Sequence, residues 1–210
     1  MARYAGNPAE VTLISPPPLN TPLTVTRRDG QVFLMDGEKP VACGEPFLGD
    51  ILVPEPPTLA QVIDAPADPD IVKNIWYHGC FVCGSDRAEG DGLRVFTNRR
   101  LAGGGLAAIW VPDSTLADSR GLVPEEIIWA VLDCPAGWAS WVEKMRVIVL
   151  GRMAVEISGP VPVGQPCVIM AWKFSEHRRK IQAGTALIDA SGQVLAKSRS
   201  TWIELQPAGA

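Results

Sequence analysis

Hydrophobic and polar positions along the chain change period several times, and each change marks an element. Residues 124–141 hold an apolar run broken by one carboxylate, Asp133. Ile127, Ile128, Val131, Leu132, Cys134, Pro135 and Trp138 leave this stretch little polar surface, so the pattern predicts a buried helix. Pro124 suits its first position, and Glu125 and Glu126 complement the positive end of the helix dipole. Steps of three and four from Asp133 reach Glu126, Trp129, Ala130, Gly137 and Ser140, mostly small residues that let another group come close.

Strand-like runs rich in β-branched and aromatic residues are expected near 93–97, 106–111, 146–157, 167–175, 179–189 and 194–205. A short helix is expected over 58–63, inside a proline-rich linker at 53–69. One buried helix followed by long antiparallel strands implies an α+β fold, a curved sheet wrapped around the helix. Residues 1–70 read as a strand-rich segment with its linker, and 71–210 as the main domain. An internal echo connects the two. Pro16, Pro18 and Pro22 recur as Pro160, Pro162 and Pro166, each 144 residues on, and each set leads into a strand-like run. Residues 32–42 likewise resemble 185–196, a hairpin with a polar turn. Two readings stand open: an ancient duplication, or chance in a chain with 19 prolines.

The 210-residue chain is 47% hydrophobic and 20% charged, an ordinary globular composition. A net charge of −4 argues against a general nucleic-acid partner. No apolar run reaches the roughly 18 residues that span a bilayer, so no membrane partner is expected. The first residues lack an apolar signal core, which points to the cytoplasm, and five cysteines are then expected as reduced thiols. Cys80 and Cys83 form a lone Cys-x-x-Cys with His78 nearby. A structural zinc site uses four ligands and no second pair follows, so a tight turn is the expectation and no metal is assigned.

Four motifs carry a resemblance. Cys-Phe-Val-Cys-Gly at 80–84 leads to Gly92-Leu93, Ala-Ile-Trp-Val-Pro stands at 108–112, and Val-Leu-Asp-Cys-Pro-Ala-Gly-Trp-Ala at 131–139. Asp-Ala-Ser-Gly-Gln-Val-Leu-Ala stands at 189–196. In order and spacing, residues 80–205 resemble the hotdog-fold acyl-CoA thioesterases, the branch similar to phenylacetate-pathway thioesterases. The resemblance implies a hotdog domain, with the first 70 residues like the strand portion of a second, helix-less unit.

It also implies roles. Asp133 falls where a helix carboxylate attacks the thioester or activates water, while the amino end of a neighbouring helix steadies the oxyanion. Glu126 either shares a proton with Asp133 or only complements the dipole. Gly121, Val123, Trp129, Ala130 and Gly137 are expected to line the substrate, and Arg178, Arg179 and Lys180 to meet CoA phosphates or to form a charged turn. The chain departs from the family where a His-Gly-Gly triplet usually stands: here are Pro124, which has no N–H, and two acids, Glu125 and Glu126. A hydratase of this fold would need an Asp and His pair before the helix, and neither of the two histidines is there. An acyl-CoA partner, a homodimer and no cofactor are expected. The other reading is a non-catalytic acyl-binding protein of the same fold.

Overall fold

A computed structural model describes residues 2–205; Met1 and residues 206–210, the outer ends of the two expected domains, lie outside the described residues. In chain order the elements are α1 (Ala2–Ala5), β1 (Ala9–Leu13), β2 (Thr24–Arg28), β3 (Gln31–Asp36), β4 (Lys39–Pro46), α2 (Leu59–Asp64) and α3 (Pro69–Lys73). There follow β5 (Arg99–Arg100), β6 (Leu106–Trp110), a 3-10 turn (Ser114–Leu116), α4 (Glu125–Trp141), β7 (Ile148–Ile157), β8 (Cys167–His177), β9 (Lys180–Ile188) and β10 (Val194–Glu204).

All ten strands join one sheet in the order β2-β3-β4-β1-β7-β10-β9-β8-β6-β5, and every pairing is antiparallel. The helix α4 packs across β7 to β10. Val131 and Leu132 of α4 are fully buried against Met153, Val155, Ile169 and Leu187, and these residues form the largest core cluster. A second cluster joins the carboxyl half of α4 to β9 and β10 through Ala136, Trp138, Trp141, Ile181 and Trp202. The linker straps the opposite face, where α2 seats Val62 against Val168, Met170 and Ile188. Thr58 and Gln61 close a capping box at its start, which is why a helix forms in a proline-rich stretch.

Two expectations shift in detail. Pro124 caps α4 from outside, with extended backbone, and its carbonyl accepts from the amides of Ile127 and Ile128. Residues 93–97 join no strand of the sheet: Arg94 takes a φ of 52°, and the Leu93 and Val95 amides donate to the carbonyls of Phe81 and Val82, both at 2.8 Å. That pairing draws the Cys-x-x-Cys turn onto the core.

The two strand sets share one order, β1-β4-β3-β2 in the first and β7-β10-β9-β8 in the second. They meet where β1 pairs with β7, and there Glu10 lies opposite Ala154. Those two residues are themselves 144 apart, the spacing of the repeated prolines. A register centred on a pair with the repeat's own spacing is what two equivalent strands related by a two-fold axis produce. Further out, Val32 opposite Gly44 on β3 and β4 matches Thr185 opposite Ser198 on β9 and β10, a larger offset that the longer β8–β9 hairpin requires. The geometry therefore favours duplication over chance. It also places β1 on the edge of β7 that a second copy would otherwise pair with.

Candidate functional site

Asp133 lies midway along α4. The residue is partly covered, yet its Oδ1 is out of contact with solvent and has no hydrogen-bond partner. Burial pushes the carboxyl up to about 7, and charge on neighbouring Cys80 acts in the same direction. An anchor bonded to backbone amides would look different: its acceptors would be filled. Glu126, expected as a possible proton partner, is exposed in the first turn of α4, seven residues before Asp133. At about 1.5 Å per residue the two positions stand about 10 Å apart along the axis, too far for a shared proton. The dipole role is the one its position fits.

The other expected residues divide by place. Gly121, with φ of 76°, turns the chain just ahead of α4, and its carbonyl accepts from the Val163 amide. Val123 is buried and its amide donates to Val161. Trp129 and Ala130 are partly buried on α4 against the main core. Gly137 has another reason to be small: a Cβ there would stand 2.8 Å from Cη2 of Trp202. Arg178, Arg179 and Lys180 are exposed at the β8–β9 turn. That turn lies beside the carboxyl end of α4, tied there by ion pairs of Glu176 with Lys144 at 2.6 Å and with Arg146 at 2.8 Å. The basic turn and Asp133 are thus separated by more than half the helix.

The sequence reading missed a cluster beside Asp133. Cys134, the next residue on α4, meets both cysteines of the Cys-x-x-Cys turn, and the three Sγ atoms lie within 4.8 Å of one another. Cys80 and Cys134 are 3.5 Å apart. Hydrogen bonding from the Cys134 and then the Cys83 thiol holds Cys80 well below the ordinary thiol range. The same contact with Cys80 pushes Cys134 well up. One charge is thus easy for the trio and further charges are opposed. A small apolar cleft of about 90 Å³ opens over the sulfurs, walled by Trp76, Tyr77, Trp138, Trp141 and Trp202. A larger groove, about 1080 Å³, runs between the linker, residues 100–106 and the carboxyl end of α4. Asp133 lines neither.

No protein-family model matches this sequence, and no curated protein does. Solved structures do match in fold. A TesB protein of Mycobacterium avium subsp. paratuberculosis superposes with a TM-score of 0.62 at 9% identity, over 94% of this chain and 78% of its own. A thioesterase superfamily protein gives 0.46 at 19% identity, over 50% of this chain and 51% of its own, so the match spans about half that protein's length. The Escherichia coli PaaI protein of the phenylacetic acid degradation operon gives 0.49 at 9% identity, over 57% and 83%. The chain has the hotdog fold. The TesB match runs through nearly the whole chain, so the first four strands are part of the matched architecture and not an unrelated appendage. Among the described residues no helix is long and apolar enough to cross a membrane.

Proposed function

We propose that this protein hydrolyses an acyl-CoA thioester, with Asp133 attacking the carbonyl or activating the water. The observation that carries the reading is a carboxylate buried mid-helix in a hotdog fold with an acceptor oxygen left unpaired. A buried polar atom without a partner costs stability, so its retention calls for a role. Water or a thioester reaching Oδ1 would satisfy it, and a carboxyl raised by burial is a better base than an ordinary one. Arg178, Arg179 and Lys180 would meet the CoA phosphates at the far end of α4.

One observation favours the second reading, a non-catalytic acyl-binding protein. The chain entering α4 offers Pro124 without an N–H, followed by two exposed acids, an unsuitable place for an oxyanion. A free-thiol assay over a panel of acyl-CoA esters separates the two. Turnover that falls by about a hundredfold or more in Asp133→Asn supports hydrolysis through this residue. Saturable binding with no thiol release in the wild type leaves the binding protein.

In this reading residues 1–70 form a partial second unit and 71–210 the complete one. The expected homodimer needs a new surface, because β1 already covers β7. Leu13, Ala42, Leu34 and Val25 lie opposite one another in turn, on the α4 side of the sheet. Leu13 and Val25 are exposed there, and that face is where a second copy would pack. Light scattering at twice the 22.5 kDa chain mass supports the pairing. A mass of one chain rejects it.

A further inference from the structure

We propose that Cys80, Cys83 and Cys134 bind a thiophilic divalent ion of the zinc class, and that this ion pins the irregular segment 74–98 to α4. The geometry is close to what such an ion needs. Thiolates about 2.3 Å from a tetrahedral ion stand about 3.8 Å from each other. The three sulfurs already lie within 4.8 Å, with one pair at 3.5 Å. Two ligands come from a turn three residues apart and the third from a rigid helix 51 residues on, so closure needs only small side-chain movements.

The surroundings of the sulfurs match those of a bound metal. Trp138, whose indole N–H is a donor of the kind that steadies metal thiolates, lines the same cleft as the three sulfurs. Gly84 closes the turn through its amide to the Cys80 carbonyl at 2.9 Å. A Cβ on Gly84 would fall 2.3 Å from the His78 carbonyl oxygen, so the turn has no room for another residue. The Arg87 guanidinium donates to the carbonyls of Gly79 and Cys80 at 3.0 and 3.1 Å and brings positive charge beside a site that, with three thiolates and a divalent ion, carries net −1.

An independent observation says why a clip belongs here. From the end of α3 at Lys73 to the start of β5 at Arg99 the chain forms no helix or strand. Structureless connections much beyond 12 to 15 residues are uncommon inside compact domains. This one nevertheless buries Ile75, Val82, Cys83, Leu93 and Val95. A metal bridge to α4 supplies the tether that regular hydrogen bonding does not. Among the described residues no fourth His, Cys, Asp or Glu joins the trio, so the fourth position is left to an exogenous donor such as water.

The test is cobalt(II) titration of the reduced, metal-stripped full chain, with zinc competition. The expected result is one ion per chain, with thiolate-to-cobalt charge-transfer bands, visible bands of tetrahedral cobalt, and their loss on adding zinc. Cys134→Ser should weaken binding by about a hundredfold or more, since losing even an outer partner of a ligand costs ten- to a hundredfold. Cys43→Ser, on β4 and outside the trio, should leave binding unchanged. If Cys134→Ser fails to fold, X-ray absorption of the zinc-loaded wild type decides, with three sulfur neighbours expected at about 2.3 Å. No cobalt bands in the reduced wild type, a sulfur count of two or fewer, or binding unchanged in a folded Cys134→Ser would overturn the site. None of these readouts depends on thioester hydrolysis.

Discussion

Gly137→Ala sets two opposed effects against each other on one residue. In a helix interior the change is worth about 1 kcal/mol of added stability, because alanine loses less backbone freedom on folding. Against this, the new Cβ would stand 2.8 Å from Cη2 and 3.0 Å from Cζ2 of Trp202, closer than packed carbons come. Trp202 has little freedom to retreat. It is buried, and its Nε1 donates at 2.9 Å to Ser200 Oγ, which itself donates to the Ala183 carbonyl. Overpacking of this kind costs about 1 to 3 kcal/mol, and an indole N–H pulled from its buried partner costs about 1 to 3 more. The clash should win, by about 1 to 5 kcal/mol after the propensity gain. For a chain of this size each kcal/mol moves Tm by about 2 to 4 °C, so a fall of at least about 2 °C is expected by calorimetry. Trp202→Phe removes the ring atoms in the way. The double variant should therefore be less destabilised than the two singles added together, a coupling that a double-mutant cycle measures directly. A rise in Tm for Gly137→Ala, or strict additivity in the cycle, would refute the claim that Gly137 is small to admit Trp202.

Asp133→Asn should keep or raise Tm while thioester hydrolysis falls, because the buried carboxylate oxygen has no partner to lose; a fall in Tm with activity intact would make it an anchor after all. Glu176 is held down to about 2, chiefly by Arg146 and then Lys144, so its ionised form is favoured in the native state. Its contribution is therefore present above the ordinary carboxylate value of 4.5 and lost as pH falls from there toward 2. Glu176→Gln should lower Tm at neutral pH and flatten the decline in that acid window, and an unchanged acid profile would count against the ion pairs. Arg178→Glu with Arg179→Glu should raise KM for acyl-CoA severalfold at low salt, leave kcat near the wild type and lose its effect as salt rises. An equal loss at all salt concentrations would show that these residues do not bind the phosphates.

The helix and its acid could be read from sequence because both are local: a run of apolar residues fixes one, and a lone carboxylate inside it marks the other. The thiol cluster could not. Cys134 reads as one more apolar residue of a buried helix, and Cys80 and Cys83 invite a search for a second cysteine pair, which the chain lacks. Only the pairing of Leu93 and Val95 with the Cys-x-x-Cys turn carries that turn onto α4, and hydrogen bonds between irregular segments leave no periodic trace. A weaker signal was present, since Cys134 sits directly beside Asp133 where a chemically special neighbour is informative. Glu126 stayed ambiguous for the opposite reason. Spacing by whole turns puts it on the Asp133 face, but a face seven residues long reaches out of the core, and the first turn of α4 is exposed.

The repeated prolines show how a faint echo becomes informative once it is tied to a register. Residues Pro16 to Pro22 connect β1 to β2, and Pro160 to Pro166 connect β7 to β8, so both sets turn the chain at the same step of the same strand order. Chance recurrence of proline places no demand on strand pairing. Duplication does: if the two halves join through equivalent strands, the pair at the centre must be separated by the repeat spacing, and Glu10 opposite Ala154 meets that condition. The halves then differ where the proposed site lies. The second keeps a 17-residue helix with its buried acid and its cysteine, while α1 in the first has four residues. A single acid-bearing helix on a two-fold sheet can build one complete site and not two. Titration with a tight substrate analogue should therefore saturate at one equivalent per chain, and two equivalents would mean that the β1 to β4 half binds ligand by other means.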